Sequence, residues 1–284
     1  MSGYLNQSDG GEEMINLNEI LHRLVADYSE LGEVVGLTMA GSKAASLQDD
    51  LSDINLDVYL VNPLTEEKRR QIILKYATKI EMNYPSFVTS DHFLLSDFPV
   101  EITVSFIILS ELEQELYDVM ERHVAKVGYT TCFIRNFMDS TILFDKGGRL
   151  KALYEKYATT YPKQLKENII DLNFPLLKDS FSSYYHQLEQ AIIRQDTLSI
   201  PPRVSKFLAS YFDIIFAINE VYHPGEKRLI QIMEDSCDIY PTNLNEKVKQ
   251  LMGYAAQGDI QFLDIMDEMI RGLEEVLSEQ NTAS

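Results

Sequence analysis

Two short stretches of this 284-residue chain hold residue types that can manage an anion and a cation together. The apolar run Val34 to Ala40 stops at Gly41-Ser42. A strand that ends in Gly-Ser lets backbone N–H groups and one hydroxyl come close to a bound anion. Ten residues further on, Asp53-Ile54-Asn55 places a carboxylate and an amide at i and i+2. On a strand these share one face, with Cα atoms about 6–7 Å apart, so both reach one cation or a close pair. Glu101, in a later β-branched run, would complete an all-oxygen set of the kind Mg²⁺ prefers. Two such ions about 4 Å apart clamp the attacking and leaving oxygens of an in-line phosphoryl displacement. Asn55 ligates through its carbonyl oxygen but brings no charge. Asp57 does not replace it, because it sits about 13 Å along the strand from Asp53; with Asp49 and Asp50 it reads as a solvated loop or edge charge.

The elements that must hold these residues are legible as periods. Leu17, Ile20, Leu21, Leu24, Val25, Tyr28 and Leu31 mark one helical face, with Asn16 or Asn18 as its cap. Val34 to Ala40 is a strand. Asp53 to Val61 alternates strictly, with Asp53, Asn55, Asp57 and Tyr59 opposite Ile54, Leu56, Val58 and Leu60, so it is a strand with one polar face. Asn62-Pro63 breaks it. Thr65 then caps a helix reaching about Met82. Phe87 to Leu95 reads as strand or extended loop, and Pro99 to Leu109 as a strand with Glu101 and Thr103 as polar insertions. Helices are read over Leu112 to Arg122 and Gly128 to Asp139, and a strand over Ser140 to Asp145, closed by Gly147-Gly148.

After that the strand signals stop. Helices are expected over Arg149 to Tyr157, Pro162 to Asn173, Leu176 to Gln195, Arg203 to Tyr222, Asn245 to Tyr254 and Ile260 to Leu277. Phe207 to Ile218 is apolar nearly all round and should be the central helix of a bundle. A mixed half followed by an all-helical half gives an α+β chain. Its expected divisions are a disordered leader over 1–13, an α/β domain over 14–148 and a helical bundle over 149–284, with the boundary near residues 147–160.

Composition narrows the partners. The net charge is -19, from 44 acidic against 25 basic side chains. That disfavours a sequence-independent grip on DNA or RNA, which needs a basic surface, and equally disfavours anionic membranes. The 13 Phe and 16 Tyr are enough aromatic bulk for folded cores. Two cysteines without CxxC spacing, and five scattered histidines without HxxxH spacing, offer neither a disulfide framework nor a zinc site. Met1 to Glu13 has no signal-peptide pattern, and no apolar stretch approaches the ~18 residues of a membrane span, so a cytoplasmic protein is expected. No G-x-S-x-G, HExxH or G-x-G-x-x-G occurs, and in Gly36 to Lys43 the Lys follows the Ser, unlike a phosphate-binding P-loop. His223 before Pro224 reads as a helix-end cap, and His186 beside Tyr184 and Tyr185 as packing. The oligomeric state is not encoded in any of these features.

The stretch AGSKAASLQDDLSDINLDVYLV resembles the signature of the polymerase-β-type nucleotidyltransferase superfamily: an apolar strand, Gly-Ser, a spacer, then an acidic-x-acidic strand. FPVEITVSF resembles the strand that bears the third carboxylate there. STILFDKGGRLKALYEKYATTYP and AINEVYHPGEKRL resemble the later part of bacterial DUF4037-type nucleotidyltransferase-like proteins. The resemblance covers roughly residues 15–255. It implies a nucleotidyltransferase-type mixed sheet with helices, followed by the helical bundle, with the active-site cleft between them. It implies transfer of a nucleoside monophosphate from a nucleoside triphosphate to a hydroxyl of a small molecule or protein, with Mg²⁺. Gly41 and Ser42 would hold the β- and γ-phosphates, and Lys43 a nearby positive charge. Asp53 would ligate the metal with Asn55, Glu101 would orient or deprotonate the acceptor hydroxyl, and Lys227 and Arg228 would add cations. The chain departs from the family at Asn55, where the pattern has an acid. That departure opens the alternative of a catalytically impaired relative serving as a nucleotide-binding or regulatory module.

Overall fold

The computed structural model describes residues 16–40, 53–85 and 88–283. Gly41, Ser42 and Lys43, the acids Asp49 and Asp50, and the leader expected over 1–13 lie outside the described residues. The chain forms two compact units that interleave along the sequence. One takes the described residues up to 110 together with 140–152, and the other takes 111–139 together with 153–284.

The first unit is a six-stranded mixed sheet. Its elements are α1 (Leu17–Ser29), β1 (Val34–Ala40), β2 (Ile54–Leu60), α2 (Glu66–Ile73), β3 (Ala77–Tyr84), β4 (Ser90–Leu95), β5 (Glu101–Ile108) and β6 (Thr141–Asp145). The strands lie in the order β3-β4-β5-β2-β1-β6, with β2 and β5 parallel and the other neighbours antiparallel. Both expected caps form: Asn16 Oδ1 accepts from Glu19 N at 2.9 Å, and Thr65 Oγ1 accepts from Lys68 N at 3.4 Å. The alternation along β2 and β5 separates the faces. Ile54, Leu56, Val58, Leu60, Ile102, Val104 and Phe106 bury one side against Ile20, Leu21, Leu24 and Tyr28 of α1 and Ile72 and Ile73 of α2. The polar partners of those residues face the other way.

The helix expected from Thr65 to Met82 is cut short. It ends at Ile73, and the rest becomes the edge strand β3. Tertiary contacts override the helical pattern here. Ala77, Ile80 and Met82 pack against the sheet's core. A buried knot fixes the hairpin: Arg69 Nη1 donates to Asp91 Oδ1 at 2.5 Å, and Asn83 N donates to the same oxygen at 3.0 Å. Asn83 reaches that position with φ 56°, a left-handed conformation at the register shift between Glu81 and Tyr84.

The second unit is helical: α3 (Leu109–Met120), α4 (Cys132–Met138), α5 (Arg149–Tyr157), α6 (Lys163–Leu177), α7 (Tyr184–Ile193), α8 (Ile200–Ile218), α9 (Leu229–Ser236), α10 (Leu244–Gln257) and α11 (Gln261–Ala283), with the first residues of α3 and α5 belonging to the sheet unit. α8 is its centre: from Phe207 to Ile218 every residue except Leu208 is buried. The helices depart from expectation most at three places. The helix read from Gly128 starts only at Cys132, because Gly128 and Tyr129 are left-handed, φ 73° and 55°. The helix read over Leu176 to Gln195 is broken. The chain leaves α6 after Leu177, and α7 begins at Tyr184 with Ser183 as its cap, Oγ accepting from His186 N at 3.4 Å. α9 was not legible, since its eight residues bury only Met233. Residues 111–139, read from sequence with the sheet half, form part of the helical unit. Long-range bonds from α6 and α8 hold their loop there, as described below. No helix among the described residues is long and apolar enough to cross a membrane.

Candidate functional site

Three rungs of the sheet bring the polar residues of β1, β2, β5 and β4 onto one face. On the central rung Asn55 pairs with Thr103 of β5 and with Ala40 of β1, and Thr103 pairs with His92 of β4. On the next rung Asp57 pairs with Ser105 and with Thr38, and Ser105 pairs with Ser90. On the outermost rung lie Asp53 and Glu101. They directly precede the paired residues Ile54 and Ile102, so the parallel register sets them level on strands about 4.8 Å apart. Asp53 and Glu101 are exposed, while Asn55, Asp57, Thr103 and Ser105 are half-buried. Thr38, Tyr59 and Ser90 are fully covered.

The face is therefore sealed at one end and open at the other. At the sealed end, Gly36 leaves room for Leu150 of α5: a Cβ at Gly36 would meet Leu150 Cδ1 and lie 2.8 Å from Cγ. Thr38 Oγ1 and Tyr59 OH share a hydrogen bond of 3.3 Å beside it, and burial pushes the Tyr59 hydroxyl well above its ordinary pKa. Asp57 stands between the two ends. Sequence alone makes it a solvated edge charge, but burial lifts its carboxyl to about 6. No cation among the described residues offsets that cost, because the local polar groups of its rung are the hydroxyls of Thr38 and Ser105.

His92 is the site residue that sequence reasoning missed. Its Nδ1 lies 3.3 Å from Glu101 Oε1 and 3.3 Å from Thr103 Oγ1, and its Nε2 lies 3.3 Å from Ser90 Oγ. Its ring packs on Tyr84 with centroids 4.6 Å apart. The available signal was the alternation of Ser90 and His92 in one strand and of Glu101, Thr103 and Ser105 in the next, which read together describe a polar hairpin face.

The expected metal set can be tested against this geometry. Asp53 and Glu101 are level and exposed, and Asn55 is two residues along β2 from Asp53 on the same face. These are hard oxygen donors, suited to Mg²⁺ or Mn²⁺ and not to softer metals. No three His, Cys, Asp or Glu side chains gather as a metal site among the described residues. Two carboxylates and an amide are what this end of the sheet offers.

A second polar centre lies inside the helical unit. The loop from Lys126 to Thr131 is clamped from two helices. Asn173 of α6 accepts from Gly128 N at 3.0 Å and donates to the carbonyl of Lys126 at 2.9 Å. Asp213 of α8 accepts from Thr130 N at 3.1 Å and from Thr130 Oγ1 at 2.7 Å. Gly128 is required there, since a Cβ would lie 2.9 Å from Ala209 Cβ and φ is positive. Burial raises the Asp213 carboxyl to about 7, against the lowering effect of the Thr130 bonds. His223 does not cap a helix. Its N–H donates to Thr131 Oγ1 at 2.8 Å, and its Nδ1 accepts from Gly225 N at 3.0 Å, which leaves the proton on a buried Nε2 with no partner among the described residues. Burial holds this imidazole neutral, its pKa lowered to about 3. Lys227 and Arg228 are exposed at the start of α9, where Arg228 takes φ 54°. His186 makes an edge contact with Tyr185 at 6.2 Å between centroids and bonds Ser183, in line with a packing role.

Residues 130–229 match the model of a family described as a domain of unknown function, DUF4037. This segment contains both later phrases on which the resemblance rests, and it contains Thr130, Asp213 and His223. Among solved structures, the chain is similar to a nucleotidyltransferase-like protein from Exiguobacterium sibiricum, at 12% identity over 93% of this chain and 76% of that one, with a TM-score of 0.45. It is also similar to a spectinomycin adenyltransferase from Enterococcus faecialis, solved with ATP and spectinomycin, at 16% identity over 86% and 99% of the two chains and a TM-score of 0.33. A third similarity is to the Thermotoga maritima CCA-adding enzyme complexed with tRNA, at 12% identity over 93% and 83% and a TM-score of 0.27. No curated protein matches the chain by sequence.

Proposed function

For a chain that carries the DUF4037 domain over residues 130–229, we propose that the open end of the sheet's polar face is a nucleotidyltransferase site. It transfers a nucleoside monophosphate from a nucleoside triphosphate to a hydroxyl of a small molecule or protein. One observation carries this reading: the β2–β5 register sets Asp53 and Glu101 level on adjacent parallel strands, both exposed, with the Asn55 carbonyl oxygen on the same face. Asp53, Asn55 and Glu101 would hold Mg²⁺. Bound there, the ion supplies the positive charge that lets an acidic face accept a triphosphate and stabilises charge on the phosphoryl oxygens. The chain's own residues do the rest. Asp53 and Asn55 would present their oxygens to the ion, and Glu101 would orient the acceptor hydroxyl and take its proton. Gly41 and Ser42 would hold the β- and γ-phosphates, with Lys43 as a nearby positive charge. With a net charge of -19, nucleic acid is the least suitable acceptor.

Asn55 favours a second reading, in which the face binds a nucleotide and performs no transfer. An amide in place of the second acid removes one charge from a site built for two divalent ions. Calorimetric titration of ATP and GTP with and without Mg²⁺ tests both readings, and the absence of heat and of any thermal shift with every nucleotide overturns both. Pyrophosphate release by wild type and by Asn55→Asp separates them. Turnover in the wild type supports transfer, whereas release that appears only in Asn55→Asp identifies a non-catalytic relative.

A further inference from the structure

We propose that His92 is a positioning residue, which holds the Glu101 carboxylate in the orientation that the metal and the acceptor hydroxyl require. The inference rests on the reading of Asp53, Asn55 and Glu101 as the metal-binding face. It follows from hydrogen-bond bookkeeping around one imidazole. A carboxylate only accepts, so the contact between His92 Nδ1 and Glu101 Oε1 at 3.3 Å is a hydrogen bond in the form that carries a proton on Nδ1. In the Nδ1–H tautomer Nε2 carries a lone pair that the hydroxyl of Ser90, 3.3 Å away and fully covered, is placed to donate to. Thr103 Oγ1, also 3.3 Å from Nδ1, borders the same proton. The Tyr84 ring, 4.6 Å between centroids, fixes the plane of the imidazole. The β4–β5 ladder sets His92 opposite Thr103, Ser90 opposite Ser105, and Leu94 opposite Glu101, and the β3–β4 ladder sets Tyr84 opposite Ser90.

The consequence is a chain of order running from a covered hydroxyl to an exposed acid. Glu101 stands at an open edge, where an unsupported carboxylate samples several rotamers. A donor on one of its oxygens removes part of that freedom and leaves the other oxygen for a cation or a proton. The missing charge at Asn55 makes this more consequential, because Asp53 and Glu101 are then the only anionic members of the set. Outer partners that orient a ligating group this way are commonly worth tenfold or more in metal affinity or activity. A histidine kept only for packing would use its ring and not its nitrogens, and this distinction is open to experiment.

Two measurements on the full chain decide it. The first is ¹⁵N NMR of the histidine side chains. In the wild type His92 carries its proton on Nδ1, and Glu101→Ala moves it toward the Nε2–H form; an imidazole that ignores Glu101→Ala overturns the proposal. The second is Mn²⁺ binding, followed by electron paramagnetic resonance with a non-hydrolysable ATP analogue. His92→Phe keeps the ring on Tyr84 and should weaken Mn²⁺ binding about tenfold. His92→Asn keeps a donor at the Nδ1 position and should restore it to within about threefold of wild type, while thermal melting confirms that both variants fold. Equal affinity in wild type and His92→Phe overturns the role of His92, provided Glu101→Ala binds weakly. If Glu101→Ala also binds as wild type, or the wild type binds no Mn²⁺–nucleotide, the underlying assignment of the metal face is what fails.

Discussion

The two polar centres of the molecule handle carboxylates in opposite ways. In the helical unit Asp213 is 1% exposed and its oxygens are taken up by the backbone and hydroxyl of Thr130. On the sheet, Asp53 and Glu101 are exposed, and among the described residues the Glu101 carboxylate has His92 against one of its oxygens. A buried polar group that is fully engaged specifies a fold, since leaving Thr130 unpaired would cost its desolvation. An exposed pair of acids set level on one rung does little for folding and keeps its lone pairs for something that arrives later. The difference separates residues that hold the chain from residues that can do chemistry, although both are acidic side chains read from the same sequence.

That contrast can be broken most directly at Asp213. Asp213→Ala strands the Thr130 N–H and hydroxyl in the interior and should cost about 3 kcal/mol in chemical denaturation, whereas Asp53→Ala should change stability by less than about 0.5 kcal/mol. Comparable destabilisation by the two would erase the distinction. The sheet side is then tested by function. Asp53→Ala should lower Mg²⁺-dependent nucleotide binding or pyrophosphate release by about 100-fold, equivalent to about 2.7 kcal/mol; unchanged values for both would show that the site lies elsewhere.

A smaller effect is expected at Asn55. Asn55→Asp adds a third carboxylate to the open rungs, so the variant should melt below wild type without metal and gain about tenfold in Mg²⁺ affinity. Equal affinity would mean that residue 55 does not touch the cation.

The finest discrimination uses pH. Asp213 has a folded-state pKa raised to about 7, above its unfolded value near 4. The folded state therefore binds more protons than the unfolded one across that window, and the stability it contributes is lost as pH rises from about 4 to 7. His223 runs the other way. Its pKa is lowered to about 3, so the unfolded state binds more protons between about 3 and 6.5, and stability is gained as pH rises through that range. The two slopes, each about 1.4 kcal/mol per pH unit at most, oppose one another near pH 5. Asp213→Asn should accordingly make stability rise more steeply with pH between about 4.5 and 6.5 than it does in wild type. An unaltered slope would mean that Asp213 is not buried as a titrating group.

Much of the sheet unit could be read from local pattern. The strict alternation from Asp53 to Val61 announces a strand with one polar face, and it forms as β2. The Asn16 and Thr65 caps form where side-chain chemistry places them. Where local pattern fails, a distant partner is responsible. Ala77 to Tyr84 follows a helical start yet becomes β3, because β4 pairs with it and Arg69, Asn83 and Asp91 knot the turn. Gly128 to Thr131 leaves the helix read there, because Asn173 and Asp213, 45 and 83 residues away along the chain, take its backbone N–H groups. The same applies to His92. Nothing within its own strand ties it to Glu101; the antiparallel register does.

The sequence by itself determined the types of most elements, the excess of acidic side chains, the oxygen-donor set at Asp53, Asn55 and Glu101, and the absence of a carboxylate at position 55. These follow from side-chain chemistry and from periods of two and 3.6 residues, which act over neighbours in the chain. Only the tertiary structure decided that Asp53 and Glu101 stand on one rung, that His92 reaches Glu101, that Asp57 is half-buried, and that Asp213 closes a loop in the helical unit. Each of those depends on strand register or helix packing, where groups tens of residues apart exchange water for one another, and that exchange is settled only once the whole unit has folded.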